Sequence, residues 1–364
     1  MMRVIQLIDT LEPGGAERVA VNIANGLARR GYASHLCATR RGGPLEQELE
    51  PGVEFFSLQR SGRWDVSAVL RLAVYIRKHK VQIIHAHSSS LFIGSIVARL
   101  CGCKLVWHDH FGAGTKGRSA FLFQIITRNV GMVLSVTKHL AKWTEEYLNI
   151  NKNHIQYLPN FIFGNDGTSH PVTIPGRSGE RITCVANLRA FKDQIGLLRA
   201  FKLVIKKFPE AHLILVGAEV ESDYSALLAE ELAVLHLESN VTMLGKRNDI
   251  PAILDGSDIA VLASVVEGFP LVLLEYGSAC LPVVATEVGE CAEILDHGAA
   301  GILVPPGDPA ALAAGLLRYL DDSVLRKEMA QKLHLRVQTQ YSEPVIMERI
   351  VMVYKTILSL EGTA

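Results

Sequence analysis

Twice along this chain of 364 residues, short apolar runs alternate with longer stretches of helical period, and a break in composition separates the two series. That alternation fits parallel sheets flanked by helices and little else. In the first series strands are expected at 3–8, 34–39, 82–87, 104–108, 132–136 and 154–158, with helices at 16–30, 66–79 and 91–100. The stretch from Asn165 to Gly179, rich in Gly, Pro, Ser and Asp, ends every period, as a linker does. Strands are expected again at 182–186, 212–216, 241–244, 259–262, 283–285 and 302–304, with helices at 194–207, 224–235, 271–279 and 309–320. A last amphipathic stretch runs from Pro344 to Leu360. The expected class is α/β, with two Rossmann-like parallel-sheet domains at 1–164 and 165–342 and a C-terminal helix within 343–364 that crosses back to the first. Open parallel sheets bind ligands at the C-terminal ends of their strands, so two such domains joined by one linker would share a crevice there.

Composition narrows the class. At 49% hydrophobic and 20% charged residues, the chain can bury two cores and carries no mark of disorder. The N-terminal apolar run is too short for a signal-peptide core and stops at Asp9. No uninterrupted apolar stretch reaches the ~18–20 residues of a bilayer span. The six cysteines are scattered, and the one close pair, Cys101-Gly-Cys103, lacks the second pair a zinc site needs. Reduced thiols in a cytoplasmic protein are expected. Net charge is zero, yet residues 1–164 carry +9 and residues 165–364 carry −9. Either a basic face meets an anionic partner or the halves attract each other. No nucleic-acid partner is expected.

The most specific local signal is Glu267-Gly268-Phe269-Pro270-Leu271-Val272-Leu273-Leu274-Glu275, just after an apolar strand. Pro270 suits a first helical turn, where its missing N–H costs nothing. The N–H groups of Leu271 and Val272 would then point outward with the helix dipole behind them, making an anion pocket suited to a pyrophosphate. Glu267, in the loop, can accept hydrogen bonds from sugar hydroxyls. Glu275 sits among Leu271, Val272 and Leu274, where a carboxylate is costly unless paired, and the two hydroxyls of a ribose would pair it. A plainer reading makes both carboxylates solvent-facing residues of a surface helix.

This segment resembles the E-x7-E motif of retaining glycosyltransferases with the GT-B fold, in particular glycosyltransferase family 4. The likeness runs from Gly14 to about Asp308. Val185-Ala-Asn187-Leu-Arg189-Ala-Phe-Lys192-Asp193 is similar to the family's strand-to-helix turn, whose arginine and lysine hold the donor diphosphate. Here Asn187 stands at the usual arginine position, Arg189 follows two residues later, and Lys192 keeps its place. Two fixed cations there would offset the charge that builds on the leaving phosphate. By the same resemblance Gly217 permits close approach of the nucleotide, and Lys246 and Arg247 bracket the base. Gly289 and Glu293 belong to a Gly-rich turn in which Glu290 replaces a second glycine.

Two features remain in the first half. Pro13-Gly14-Gly15-Ala16-Glu17 offers a second helix start friendly to anions, although a tight turn explains its glycines as well. His85-Ala-His87 and His108-Asp109-His110 place two imidazoles on one face at the end of each strand. Four such rings admit a metal site, or simply packed and hydrogen-bonded histidines. In the family resembled, a histidine at the end of the equivalent fourth strand lies under the transferring sugar. That role falls on His110, with His108 as the other register. Glu17, His85 and His108 become acceptor-side candidates.

The resemblance implies a retaining, hexosyltransferase-type enzyme of GT-B architecture. Residues 165–342 would hold a nucleoside diphosphate sugar, UDP before other nucleotides. Lys192, Arg189 and the helix start Gly268–Val272 would grip the diphosphate, Glu275 the ribose and Glu267 the sugar, with His110 lining the reaction centre. Fixed cations and dipoles would replace a metal, and no D-x-D motif occurs, so no metal or other cofactor is expected. The acceptor would be a glycan or lipid-linked glycan in polysaccharide or cell-envelope assembly. Two rivals stay open: a nucleotide-sugar hydrolase or epimerase recruiting Glu267 or His110 as base, and a non-catalytic nucleotide-sugar-binding partner of a synthase complex. A dinucleotide oxidoreductase is disfavoured, because no glycine-rich fingerprint follows either first strand. Arg60, Arg63, Trp64, Lys116, Arg118, Phe121 and Phe123 mix cations with aromatics, a combination suited to peripheral contact with the inner face of the plasma membrane or to a solvated surface.

Overall fold

The computed structural model describes residues 1–62, 65–111, 118–162 and 172–359. Arg63, Trp64, Lys116 and the linker residues 165–171 lie outside them. The chain forms two compact units, one of Met1–Phe163 with Glu343–Ala364, the other of Gly164–Ser342. Among the described residues, no helix is long and apolar enough to cross a membrane.

Among the described residues, the first unit holds a seven-stranded sheet of β1 (Arg3–Ile8), β2 (Ala33–Ala38), β3 (Val53–Ser57), β4 (Ile83–His87), β5 (Lys104–Asp109), β6 (Val130–Ser135) and β7 (Ile155–Tyr157). Their order is β3-β2-β1-β4-β5-β6-β7, and the recorded pairings are parallel. The central strands are covered on both faces, which is why they read as mostly apolar runs, with Gln6, His85, His87 and His108 as buried polar exceptions. Sequence patterning passed over β3. It is an edge strand whose Glu54 is exposed and whose other residues are half-buried, so it lacks the apolar run of its neighbours.

The C-terminal helix Glu343–Ser359 belongs to this unit. Ile346, Met347, Ile350, Tyr354 and Ile357 recur at helical spacing and pack against Val4, Ile83, Val106 and Leu134 of the sheet. The Arg30 guanidinium meets the Glu343 carboxylate at 2.5 and 3.2 Å, fixing the start of the helix.

Among the described residues, the second unit has a six-stranded sheet of β8 (Arg181–Val185), β9 (His212–Val216), β10 (Val241–Gly245), β11 (Ile259–Leu262), β12 (Val283–Thr286) and β13 (Ile302–Val304). The order is β10-β9-β8-β11-β12-β13, again with parallel pairs. Leu197, Phe201 and Leu316 pack from their helices onto Leu213, Val261 and Val284 of the sheet. At the end of β9 a side chain on Gly217 would overlap the carbonyl of Ala186. The close approach at this glycine is therefore of one backbone to another.

The structure removes part of the basic-aromatic set from the surface. The Arg118 guanidinium is 4% exposed and grips Asp109 with two bonds of 2.7 Å. Phe111, Phe123 and Trp143 surround it at 4.1, 5.2 and 5.0 Å from their ring centres, and Phe123 is itself buried. The Arg60 side chain is 9% exposed and lies 3.5 Å from Asp9. Of that set, Phe121 is exposed. Burial in ion pairs and aromatic cages, which composition does not display, accounts for the difference.

Candidate active site

In the second unit, β8 and β11 lie side by side, and the segments that follow them meet. Asp193 caps the helix Gln194–Val204 by accepting from the Gly196 N–H at 3.0 Å. The short turn Ala190–Lys192 precedes that cap. The Phe191 carbonyl accepts from the Val265 N–H at 2.8 Å, binding this turn to the loop after β11. Lys192 Nζ thereby reaches Glu267 Oε1 at 2.5 Å, and the Ser264 hydroxyl donates to the same oxygen at 2.7 Å. Arg189 and Lys192 both stand over the ring of Phe191, at 5.9 and 5.4 Å from its centre. The Arg189 Nε is buried and has no hydrogen-bond partner among the described residues. Asn187 is tied down differently: its side-chain oxygen accepts from the Ala218 N–H at 3.0 Å, and Gln194 donates to its carbonyl at 3.1 Å.

The helix Leu271–Ser278 starts one residue after Pro270, which serves as its N-cap rather than its first helical residue. Leu273 donates to the Pro270 carbonyl, while the N–H groups of Leu271 and Val272 precede the first intrahelical acceptor. Gly268 and Phe269 complete the loop. Gly289, at φ 54°, packs so tightly against it that a side chain would overlap the Gly268 carbonyl, and the Glu290 N–H donates to that carbonyl at 2.9 Å. Glu275 is half-buried, next to Tyr276, whose hydroxyl accepts from the Val185 N–H at 2.8 Å and donates to the Val261 carbonyl. One helix thus carries Glu275 and anchors the ends of β8 and β11. Lys246 is exposed, and Arg247 is paired with Asp249 at 2.5 Å.

In the first unit the four histidines gather at the ends of β4 and β5. His87 lies beside His108 in the register, so the rings share one sheet face. Their centres stand 4.6 Å apart for His85 and His87, 5.1 Å for His87 and His110, and 4.1 Å for His108 and His110. His85, His87 and His108 are fully buried, and burial holds each of them well below the ordinary imidazole value. His110 is the partly exposed member, and burial lowers it to about 3. His85 and His108, two of the acceptor-side candidates, are thus buried where His110 is partly exposed. One ring nitrogen from each of His85, His87 and His108 lies within 4.8 Å of the others, a spacing a metal ion tolerates. Both nitrogens of His87 are already engaged, with His110 and Gln6 at 2.9 Å each.

At the other helix start in this unit, the Glu17 carboxylate folds back over Gly14, and burial raises its carboxyl above the ordinary range. An anion at Gly14–Gly15 would share the place with that group. Sequence reading passed over Asp9, which accepts from Thr39 at 2.6 Å and Ser89 at 2.7 Å and faces Arg40 and Arg60 at 3.4 and 3.5 Å. Beside it lies a cavity of about 330 Å³ lined by Arg40, Arg60, Ser89, Val69, Phe92 and Ile96, among others. Its polar residues follow β2, β3 and β4, as Asp9 follows β1, and that shared strand end was the available signal.

Residues 13–162 match the profile described as Glycosyltransferase Family 4, and residues 179–322 match the one described as Glycosyl transferases group 1. The N-acetyl-alpha-D-glucosaminyl L-malate synthase of Bacillus anthracis is 26% identical over 94% of this chain and 93% of its own length. The UDP-Gal:alpha-D-GlcNAc-diphosphoundecaprenol alpha-1,3-galactosyltransferase of Escherichia coli is 25% identical over 88% of each. An uncharacterized glycosyltransferase of Methanocaldococcus jannaschii is 32% identical over 78% of this chain and 77% of its own. Among solved structures, Anabaena HepE in complex with UDP superposes with a TM-score of 0.82 at 22% identity, covering 98% of this chain and 100% of that one, a likeness of fold.

Proposed function

This chain belongs to the family 4 glycosyltransferases, and from that premise we propose that it moves a sugar from a UDP-sugar to a glycan or lipid-linked glycan acceptor, with retention of configuration, in polysaccharide or cell-envelope assembly. The observation that carries the donor assignment is the Lys192–Glu267 pair at the loop opening the helix Leu271–Ser278. A fixed cation and a helix N-terminus converge there on one loop, the combination that suits a diphosphate. In this reading Lys192 and Arg189 take the diphosphate with the N–H groups of Leu271 and Val272. Glu275 takes the ribose, and Glu267 turns to the sugar when Lys192 turns to phosphate. Lysine, arginine and helix dipole supply the charge stabilisation, so the reaction needs no added metal.

In the same reading the first unit, which carries His110, binds the acceptor. Support for an acceptor with an apolar part comes from the cavity beside Asp9 and from the helix Val66–Lys78, whose Val66, Leu70 and Val74 are exposed at the spacing of one helix face. The names of relatives that use UDP-galactose and a diphosphoundecaprenol acceptor, or that join N-acetylglucosamine to malate, are compatible with such an amphipathic or anionic acceptor.

Incubation with a panel of UDP-sugars, with and without glycan and polyprenyl-diphosphate-glycan acceptors, tests the proposal. Acceptor-dependent release of UDP with an α-linked product from an α-linked donor is expected. Free sugar as the sole product across all acceptors would point instead to a hydrolase. No turnover with intact UDP binding would point to a binding partner.

A further inference from the structure

A single run of hydrogen bonds connects His110 to the C-terminal helix through the core of the first unit. His110 Nε2 lies 2.9 Å from His87 Nδ1, and His87 Nε2 lies 2.9 Å from Gln6 Oε1. Gln6 Nε2 donates to the Tyr354 hydroxyl at 3.3 Å, and that hydroxyl meets His85 Nδ1 at 2.5 Å. Gln6 and Tyr354 are 348 residues apart in the chain, and the return of the last helix brings them together.

The direction of every bond follows from the Gln6 amide. Its oxygen can only accept, so His87 carries its proton on Nε2. Burial keeps His87 neutral, which leaves Nδ1 as an acceptor, and His110 must then donate from Nε2. On the other side the Gln6 NH2 donates to the Tyr354 oxygen, and the Tyr354 proton goes to His85 Nδ1. The inner members His87, Gln6 and Tyr354 each give one proton and receive one, His110 gives and His85 receives, with no conflict along the run. His110 Nδ1 is buried and has no hydrogen-bond partner among the described residues, so its lone pair is uncommitted.

We propose that Gln6 and Tyr354 are positioning residues for the transfer reaction: acting through His87, they hold the His110 imidazole in one orientation and as one tautomer, with its proton on Nε2 and its lone pair on Nδ1. The inference rests on the reading of His110 as a group at the reaction centre. A neutral imidazole locked this way spends its one N–H on His87 and has none to offer a substrate, which fixes what the exposed part of the ring presents there. The orienting logic is that of a catalytic histidine whose tautomer is fixed by the bond its other nitrogen makes. The closing helix of the chain is thereby coupled to the chemistry by way of Tyr354.

The test uses the full chain labelled with ¹⁵N-histidine, with the His110 signals assigned from their loss in His110→Gln. Wild-type protein is expected to show His110 as a neutral ring with the proton on Nε2. In Gln6→Leu, and in Tyr354→Phe, which keeps the buried ring, the His110 signals should move toward a mixture of tautomers. In the same variants kcat should fall at least about tenfold, part of the ~10²- to 10⁴-fold that a positioned proton-transfer or hydrogen-bonding group contributes. UDP binding should stay within about twofold, as for a site without shared contacts. A wild-type proton on Nδ1, or an unchanged His110 pattern in both variants, overturns the proposal. So does a shift of the His85 and His87 signals on adding Zn²⁺ with recovery on chelation, which would make the cluster a metal site. If His110→Gln leaves transfer intact, the effect on turnover falls together with the assigned role of His110, while the ¹⁵N pattern still decides the tautomer.

Discussion

Lys192 Nζ lies 2.5 Å from Glu267 Oε1, joining the turn after β8 to the loop that opens the helix Leu271–Ser278. The side chains are 19% and 10% exposed, so neither is screened as a surface pair would be. Replacing Lys192 with Met removes the cation and leaves Glu267 with the Ser264 hydroxyl. Calorimetry should show UDP affinity lowered about 10- to 100-fold, a loss of ~1.5–3 kcal/mol for a hydrogen bond to a charged group. Unchanged affinity would remove Lys192 from the donor site.

Glu275 rides on the same helix, half-buried beside Tyr276. If it grips ribose hydroxyls, Glu275→Gln should weaken UDP by about tenfold, the scale of one charge-assisted bond, and leave binding of inorganic pyrophosphate nearly unaltered. Equal losses for both ligands would assign Glu275 to the scaffold instead.

Gly289 supports the donor loop from behind. It holds φ 54°, and a side chain would overlap the Gly268 carbonyl. Gly289→Ala should cost ~1–3 kcal/mol in urea unfolding, from backbone strain and displacement of the loop, and weaken UDP in step. Full stability with full affinity would show that the loop does not depend on this contact.

The histidine cluster predicts a pH dependence with a definite sign. Burial holds His85, His87 and His108 well below their ordinary value in the folded protein. The unfolded chain takes up those protons near pH 6.5, so stability is full above about pH 7 and falls as the pH drops through that value. One unit below it, each such histidine lowers stability by ~1.4 kcal/mol. Urea midpoints measured between pH 8 and pH 5.5 check this. His108→Leu should flatten the slope, since neither ring nitrogen of His108 has a hydrogen-bond partner among the described residues and no bond is lost. Midpoints that do not change with pH would contradict buried, neutral rings.

Much of the fold was legible because period and burial agree. β1, β4 and β11 are covered on both faces and read as apolar runs, and the start of Leu271–Ser278 shows in Gly268 and Pro270. The half-exposed edge strand Val53–Ser57 carried no such run. For the candidate site, the motif and the family resemblance named Lys192, Glu267, Glu275 and His110, and the structure brings Lys192 to Glu267. What they touch depended on contacts distant in sequence: Lys192 finds Glu267 75 residues away, and His85 finds Tyr354 269 residues away. Nothing local to Tyr354 marks it as more than an apolar-face residue, and nothing local to Arg118 marks it as buried against Asp109.

A crystal structure with UDP bound tests the central claim most directly. The account predicts the diphosphate at the start of Leu271–Ser278, its oxygens ~3 Å from the N–H groups of Leu271 and Val272 and from Lys192 Nζ, with the ribose on Glu275. UDP seated elsewhere, with Lys192 still paired to Glu267, would contradict it.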